Sequence, residues 1–247
     1  MSVQSLKIGA AIVIWGNVVI VRMGLLKKRA EIESHEFRKH WREGHGPLAA
    51  KLPGLRRYHQ NHVVDRSQRA ITYARGGLDF DGFSELWFDD MPSMQAAFAN
   101  EGQVKELGED ENRFIGELKL ITAIQHVVIP KQDGIPLIKR MSTLKRRPDV
   151  SAEKFQEEWI DVHSVLVKRL PQVKGYTQNL IFDRAHGRGK PAKYDELAID
   201  GIVELWFADV DSLNAGFASD AGKTLMTHAT EFIAEISTFL VETHEVI

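Results

Sequence analysis

An apolar run of strand length, Val18 to Leu26, opens the patterned part of the chain. Phe37, Trp41 and His45 then follow at i, i+4 and i+8, a spacing that lines one side of a helix. Glu33 or Ser34 can begin that helix, which ends near Lys51, before the Leu52-Pro53-Gly54 break. Tyr58 to Val64 alternates as a strand, and beyond a glycine-rich polar loop Phe83 to Phe88 supplies a third. Pro92 suits the start of a second helix with early apolar positions from Met94 to Phe98, and Gly102 is expected to divide this helical region. A final strand is expected at about 118–128, so the predicted order is β-α-β-β-α-β.

The same order is then spelled a second time. Arg22-Met23, Phe37, Trp41, His45, Leu52-Pro53, Tyr58, Gln60-Asn61 and Asp65-Arg66 reappear 118 residues later, from Arg140-Met141 through Asp183-Arg184. One residue is added in the following loop. Asp81-Gly82, Glu85-Leu86-Trp87-Phe88 and Phe98 therefore return at 119, as Asp200-Gly201, Glu204-Leu205-Trp206-Phe207 and Phe217. His126 and Ile129 return at 118 as His244 and Ile247. An ordered series of this length is an internal duplication, not a chance motif. The second set of strands is expected near 137–144, 176–182, 202–207 and 237–245, with the first helix at 151–169.

This order is the ferredoxin-like arrangement, in which helices cover one face of an antiparallel sheet. The bare face needs a partner, and a second copy in the same chain supplies one. The expected fold class is α+β: two ferredoxin-like units whose antiparallel sheets pair within one chain as an α+β barrel. Residues 18–129 form the first unit and 137–247 the second, with 130–136 as a linker marked by Pro130 and Gly134. Residues 1–17 are an N-terminal extension or an extra strand.

Composition adds exclusions. At 43% hydrophobic, 247 residues can bury one large core or two ordinary ones. The 32 Lys and Arg balance 34 Asp and Glu, giving no electrostatic reason to expect nucleic acid or an anionic membrane as partner. Cysteine is absent, which removes disulfides, thiolate nucleophiles and cysteine-ligated metals and fits a cytoplasmic protein. Ile8 to Leu26 imitates a signal or membrane span but is interrupted by Asn17 and Arg22.

The candidate chemistry centres on His45 and His163, which close the two helix stripes where an apolar cavity can narrow around them. An imidazole there can act as general acid or base, or serve as a satisfied core or capping residue. Tyr58, Gln60 and His62 share one strand face, while His59 and Asn61 share the other. The second copy keeps Tyr176, Gln178 and Asn179 but carries Thr177 and Leu180 in place of His59 and His62. Glu85 lies with Phe83 and Trp87, and Glu204 with Ile202 and Trp206. A carboxylate in such company either has a raised pKa and takes part in proton transfer or ends at the solvent margin of a barrel. Asp161, two residues before His163 on a helix, does not face it. His59-x-x-His62 is not a metal spacing, and no metal is expected. No phosphate-cradling glycine motif or serine nucleophile elbow is present. His186-Gly187-Arg188-Gly189-Lys190 reads as a mobile loop.

Phe37-Arg38-Lys39-His40-Trp41, then His45-Gly46-Pro47-Leu48 and Leu52-Pro53-Gly54, resembles the EthD-like family of the dimeric α+β barrel superfamily. Phe155 to Trp159, His163-Ser164-Val165-Leu166 and Leu170-Pro171 form a second version, with Ser164-Val165 replacing Gly46-Pro47 and Gln172 replacing Gly54. The resemblance covers about 18–247. It implies that the sheet and its helices enclose a small organic substrate in each half. Related barrel families look like polyketide cyclases, anthrone oxygenases, lactone isomerases and decarboxylases, and more distant relatives bind haem. A broad oxidoreductase assignment is compatible with this, although no electron carrier is legible.

The expected function is binding and transformation of a small hydrophobic or aromatic carbonyl compound by histidine-assisted proton transfer: isomerisation, cyclisation, decarboxylation or cofactor-free oxygenation. Catalytic candidates are His45, His163, Tyr58, Tyr176, Glu85 and Glu204. Substrate-binding candidates are Phe37, Trp41, Gln60, Asn61, Trp87, Phe155, Trp159, Gln178, Asn179 and Trp206. No cofactor is called for, with haem or flavin left open, and the chain can form a homodimer. The alternatives are a non-catalytic binding protein and a structural duplicate without a functional pocket.

Overall fold

Helix boundaries follow from local hydrogen bonding. Glu36 Oε2 accepts the Glu33 backbone N–H at 2.9 Å, and Ser151 Oγ accepts that of Lys154 at 3.1 Å, so each unit's first helix starts at a side-chain cap. Asp90 and Asp209 cap the second helical region in the same way, accepting from Ser93 and Ser212 at 2.8 and 2.7 Å.

The computed structural model describes residues 5–8, 11–14, 19–187 and 189–247, with side chains from residue 19. The first repeat contains β3 (Val19–Lys28), α1 (Ser34–His40), α2 (Gly46–Ala49), β4 (Arg57–Asp65), β5 (Gly82–Phe88), α3 (Met91–Ala97), α4 (Glu101–Phe114) and β6 (Ile115–Ile129). The second contains β7 (Ile138–Arg146), α5 (Ala152–Gln156), α6 (Ser164–Val167), β8 (Gly175–His186), β9 (Gly201–Phe207), α7 (Val210–Ala218), α8 (Asp220–Phe232) and β10 (Ile233–Glu245). Before them, β1 (Ser5–Ile8) and β2 (Ala11–Ile14) pair only with each other. The rest of the expected extension, and Val18 and Arg188, lie outside the described residues. No described helix is long and apolar enough to cross a membrane.

The eight strands β3–β10 close into an antiparallel barrel in the order β10-β4-β5-β3-β6-β8-β9-β7, with β7 returning to β10. Each unit keeps the ferredoxin-like order, and the two sheets join edge to edge. β6 pairs with β8 from Lys119↔His186 to Ile129↔Tyr176, and β10 with β4 from Leu240↔Asp65 to Glu245↔His59. Closure leaves no open sheet edge in the barrel. Strand alternation sends Val21, Met23, Phe83, Ile121, Met141, Ile202 and Phe239 into the barrel, while the helices cover the outside.

Two departures have local causes. The second helical region breaks at residues 98–100, not at Gly102, because Asn100 Oδ1 caps α4 by accepting from Gln103 N–H at 3.1 Å. The first helices also change pitch: Trp41–His45 and Glu157–His163 are π-helical. At this widened turn, Gln60 and Gln178 donate from the sheet to the Trp41 and Trp159 carbonyls at 2.7 and 2.6 Å. Gly82 and Gly201 lie directly beneath the indoles of Trp41 and Trp159, where a β-carbon would overlap the rings.

Candidate active site

Between the outer face of the first sheet and its helices lies a narrow cleft walled by Leu26, Leu52, Leu86, Phe98, Leu107 and Leu120. Its polar groups are Arg22, His45, Tyr58, Ser84 and Glu111. His45 is buried at the π-helical turn, and its Nδ1 lies 3.0 Å from Asp110 Oδ2 on α4. The other Asp110 oxygen meets His40 Nε2 at 2.9 Å, and His45 Nε2 turns toward Glu111 Oε1 at 3.9 Å. Burial disfavours the Asp110 carboxylate, but hydrogen bonds from His45 and His40 outweigh it and hold the carboxyl below its ordinary pKa. An anionic Asp110 fixes the proton of His45 on Nδ1 and leaves Nε2 to exchange protons.

Tyr58 is the second oriented group. Its hydroxyl oxygen accepts from Trp41 Nε1 at 3.0 Å and Gln60 Nε2 at 3.1 Å. With both donors aimed at the oxygen, the phenolic proton is directed elsewhere, and Tyr58 borders the cleft. Burial raises its pKa far above the usual value, so it remains a donor at neutral pH. The Arg22 guanidinium sits over the Phe98 ring, 4.4 Å from its centroid.

The second half forms a similar narrow cleft with Arg140, Ser142, Trp159, His163 and Tyr176 on its walls. Here the histidine has a different neighbour: His163 Nδ1 lies 3.1 Å from His228 Nδ1, and His228 Nε2 lies 3.0 Å from Glu158 Oε2. Burial first, and His228 second, push the His163 pKa down to about 3. A neutral imidazole with so low a proton affinity is a weak base at pH 7.

The sequence candidates divide by sheet face. His45, Tyr58 and Trp41 line the first cleft, and His163, Tyr176 and Trp159 the second. Gln60 and Gln178 lie behind the tryptophans and orient the tyrosines, while Phe37 and Phe155 pack at a tilt against the indoles, with ring centroids 5.5 and 5.4 Å apart. Glu85, Glu204, Asn61, Asn179, Trp87 and Trp206 occupy the opposite, barrel-interior face and do not join the histidines.

Inside the barrel, Lys139 Nζ bridges Glu85 Oε2 at 2.8 Å and Glu204 Oε2 at 2.7 Å. Asn61 and Asn179 each donate to one of these carboxylates at 2.7 Å. Burial and neighbouring Glu85 raise the Glu204 pKa to about 7, against the pull of Lys139. Trp87, Trp206, Glu204 and Lys139 border a separate opening at one barrel end. The solvent-margin reading of Glu85 and Glu204 is therefore corrected: both are buried, because opposite strands of the closed barrel bring them to one lysine. Sequence reasoning passed over Asp110, His228 and Lys139, and it gave Arg22 and Arg140 no part in a site.

The EthD domain profile matches residues 29–117 and again 147–235, displaced by the same 118 residues as the motifs. A solved anthrone oxidase-like protein shares the fold at a TM-score of 0.63 and 8% identity, over 94% of both chains. A candidate monooxygenase from Lactobacillus acidophilus NCFM aligns at a TM-score of 0.53 and 13% identity, over 92% of this chain and 94% of its own. An EthD-family protein from Bacillus halodurans C-125 is 27% identical over 42% of this chain and 95% of its own, at a TM-score of 0.34. Among curated proteins there is no match.

Proposed function

The chain belongs to the EthD-domain family, and from that premise we propose that its first cleft binds a small hydrophobic or aromatic carbonyl compound and moves a proton on it through His45. The observation that carries this reading is the Asp110 carboxylate 3.0 Å behind His45 Nδ1, at the wall of a cleft that also carries Arg22 and Tyr58.

The substrate's carbonyl oxygen faces the Tyr58 hydroxyl and the Arg22 guanidinium, and its apolar body lies against the leucines and Phe98. His45 Nε2 removes a proton from the carbon next to the carbonyl. The C–H electron pair becomes the C=C bond of the enolate and the carbonyl π pair moves onto oxygen, where Tyr58 and Arg22 stabilise it, while Asp110 stabilises the imidazolium. Return of the proton from His45 to another carbon gives isomerisation; attack by the enolate carbon on a second carbonyl forms the ring C–C bond as that carbonyl's π pair becomes an alkoxide, which takes the proton from the His45 imidazolium. Glu85 and Glu204 have no part in these steps, since they belong to the barrel interior.

Deuterium exchange at the α-carbon of 1-phenylpropan-2-one in D2O, followed by proton NMR, tests the reading. The wild-type protein accelerates exchange and His45→Gln does not. An equal acceleration by both proteins refutes it.

A further inference from the structure

The second cleft differs from the first in what surrounds its arginine. Arg140 on β7 is buried, with its guanidinium 4.3 Å above the Phe217 ring centroid. One nitrogen, Nη1, donates to the Arg69 carbonyl at 3.2 Å, while Nε is buried without a partner. No described carboxylate lies within ion-pair distance of it. Ser142, two residues along the strand and on the same face, has a hydroxyl that is likewise buried and unpartnered. Both line a cleft otherwise walled by Leu144, Leu205, Leu225 and Ile236.

The repeat locates the difference. The first cleft carries Glu111 and Gly24, whereas the equivalent positions in the second are Ala229 and Ser142. The second cleft thus lacks the carboxylate that shares the first cleft with Arg22, and it carries a hydroxyl that the first lacks at this position. Residues from the first half complete the cover: Ile71 lines the cleft, and Tyr73 donates to the Ile233 carbonyl at 2.5 Å.

We propose that the second cleft binds the carboxylate of a small hydrophobic acid, held by Arg140 Nε–H and Ser142 Oγ–H with the apolar body against the leucines. A buried guanidinium without a counter-ion is costly, and a carboxylate supplies both the charge and two acceptors. A singly charged group suits the site better than a phosphate, because one arginine and one hydroxyl cannot satisfy a dianion in apolar surroundings. His163, backed by a histidine and not a carboxylate, leaves the acid unchanged. This site is independent of proton transfer in the first cleft, and its test needs no turnover.

Isothermal titration with benzoate, and with benzyl alcohol as its neutral counterpart, reads the site directly at pH 7. Benzoate is expected to bind at least tenfold more tightly than benzyl alcohol. Arg140→Gln should weaken benzoate binding at least tenfold and Ser142→Ala at least threefold. Ser142→Ala removes a single oxygen and keeps the test decisive if Arg140→Gln fails to fold. No benzoate binding by the wild type, equal affinity for the alcohol, or unchanged affinity in folded Arg140→Gln or in Ser142→Ala overturns the proposal.

Discussion

His45 Nδ1 stands 3.0 Å from Asp110 Oδ2, while the residue equivalent to Asp110 in the second half is His228, 3.1 Å from His163 Nδ1. The residue beyond is exchanged too: His40 in the first half is Glu158 in the second, each completing a chain of three polar groups. Acid and base have traded places. The exchange leaves one imidazole against a carboxylate and the other against an imidazole, so the two clefts differ in chemistry although both keep the histidine, tyrosine and tryptophan.

Asp110→Asn should lower proton-transfer activity about 100- to 10,000-fold, the range for losing a general base or the group that sets its tautomer. Nitrogen-15 NMR gives a readout independent of turnover. In the wild type the His45 proton sits on Nδ1, and in the variant that preference should be lost. An unchanged tautomer with full activity would show that Asp110 only supports the helix.

Acid stability should depend on His62. Burial, with smaller contributions from Arg42 and Arg38, lowers its pKa from the ordinary 6.5 to about 3. The unfolded chain takes up this proton below about pH 6.5 while the folded chain does not until near 3, so stability falls as pH drops through that window. His62→Leu, the residue found at Leu180 in the other half, should flatten the dependence by up to about 1.4 kcal/mol per pH unit. Urea melts at pH 4 to 7 measure this, and parallel curves for the two proteins would contradict it.

Lys139→Met should destabilise the protein by about 3–5 kcal/mol, because Glu85 and Glu204 lose their shared cation inside the barrel. The triple variant Glu85→Gln, Lys139→Met, Glu204→Gln should recover a large part of that loss. Denaturant titration of both variants decides the point: equal losses would mean that the cation's pairing is not what matters.

Gly82→Ala and Gly201→Ala should each cost about 1–3 kcal/mol by forcing the Trp41 or Trp159 indole off the sheet. Thermal melts with tryptophan emission spectra report both effects. A neutral substitution with unchanged emission would mean that the indoles can shift freely.

Much of the fold was legible because duplication repeats every periodic signal. The Phe37-Trp41-His45 stripe and its copy identified the helix face, and the alternation of Tyr58, Gln60 and Asn61 sorted residues onto two sheet faces. Alternation does not say which face is inside. Glu85 was therefore placed with Trp87, and Asn61 opposite Tyr58, while the separation of both from His45 stayed hidden until the barrel closed. Asp110 was missed for another reason: it lies 65 residues from His45, and the repeat shows histidine at its place. The paired exchange of His40 and Asp110 for Glu158 and His228 was the available signal, because two coupled changes of charge imply contact. Lys139 stands opposite Val21 in the repeat, and only the fold shows that one lysine serves both glutamates.

The most direct measurement compares α-carbon deuterium exchange of 1-phenylpropan-2-one catalysed by the wild type, His45→Gln and His163→Gln under identical conditions. The account expects His45→Gln to lose at least 100-fold, the scale of a missing general base, and His163→Gln to stay within about twofold of the wild type, since its low proton affinity excludes it from the same role. Loss of exchange in His163→Gln with retention in His45→Gln, or a wild-type rate no faster than buffer, would contradict it.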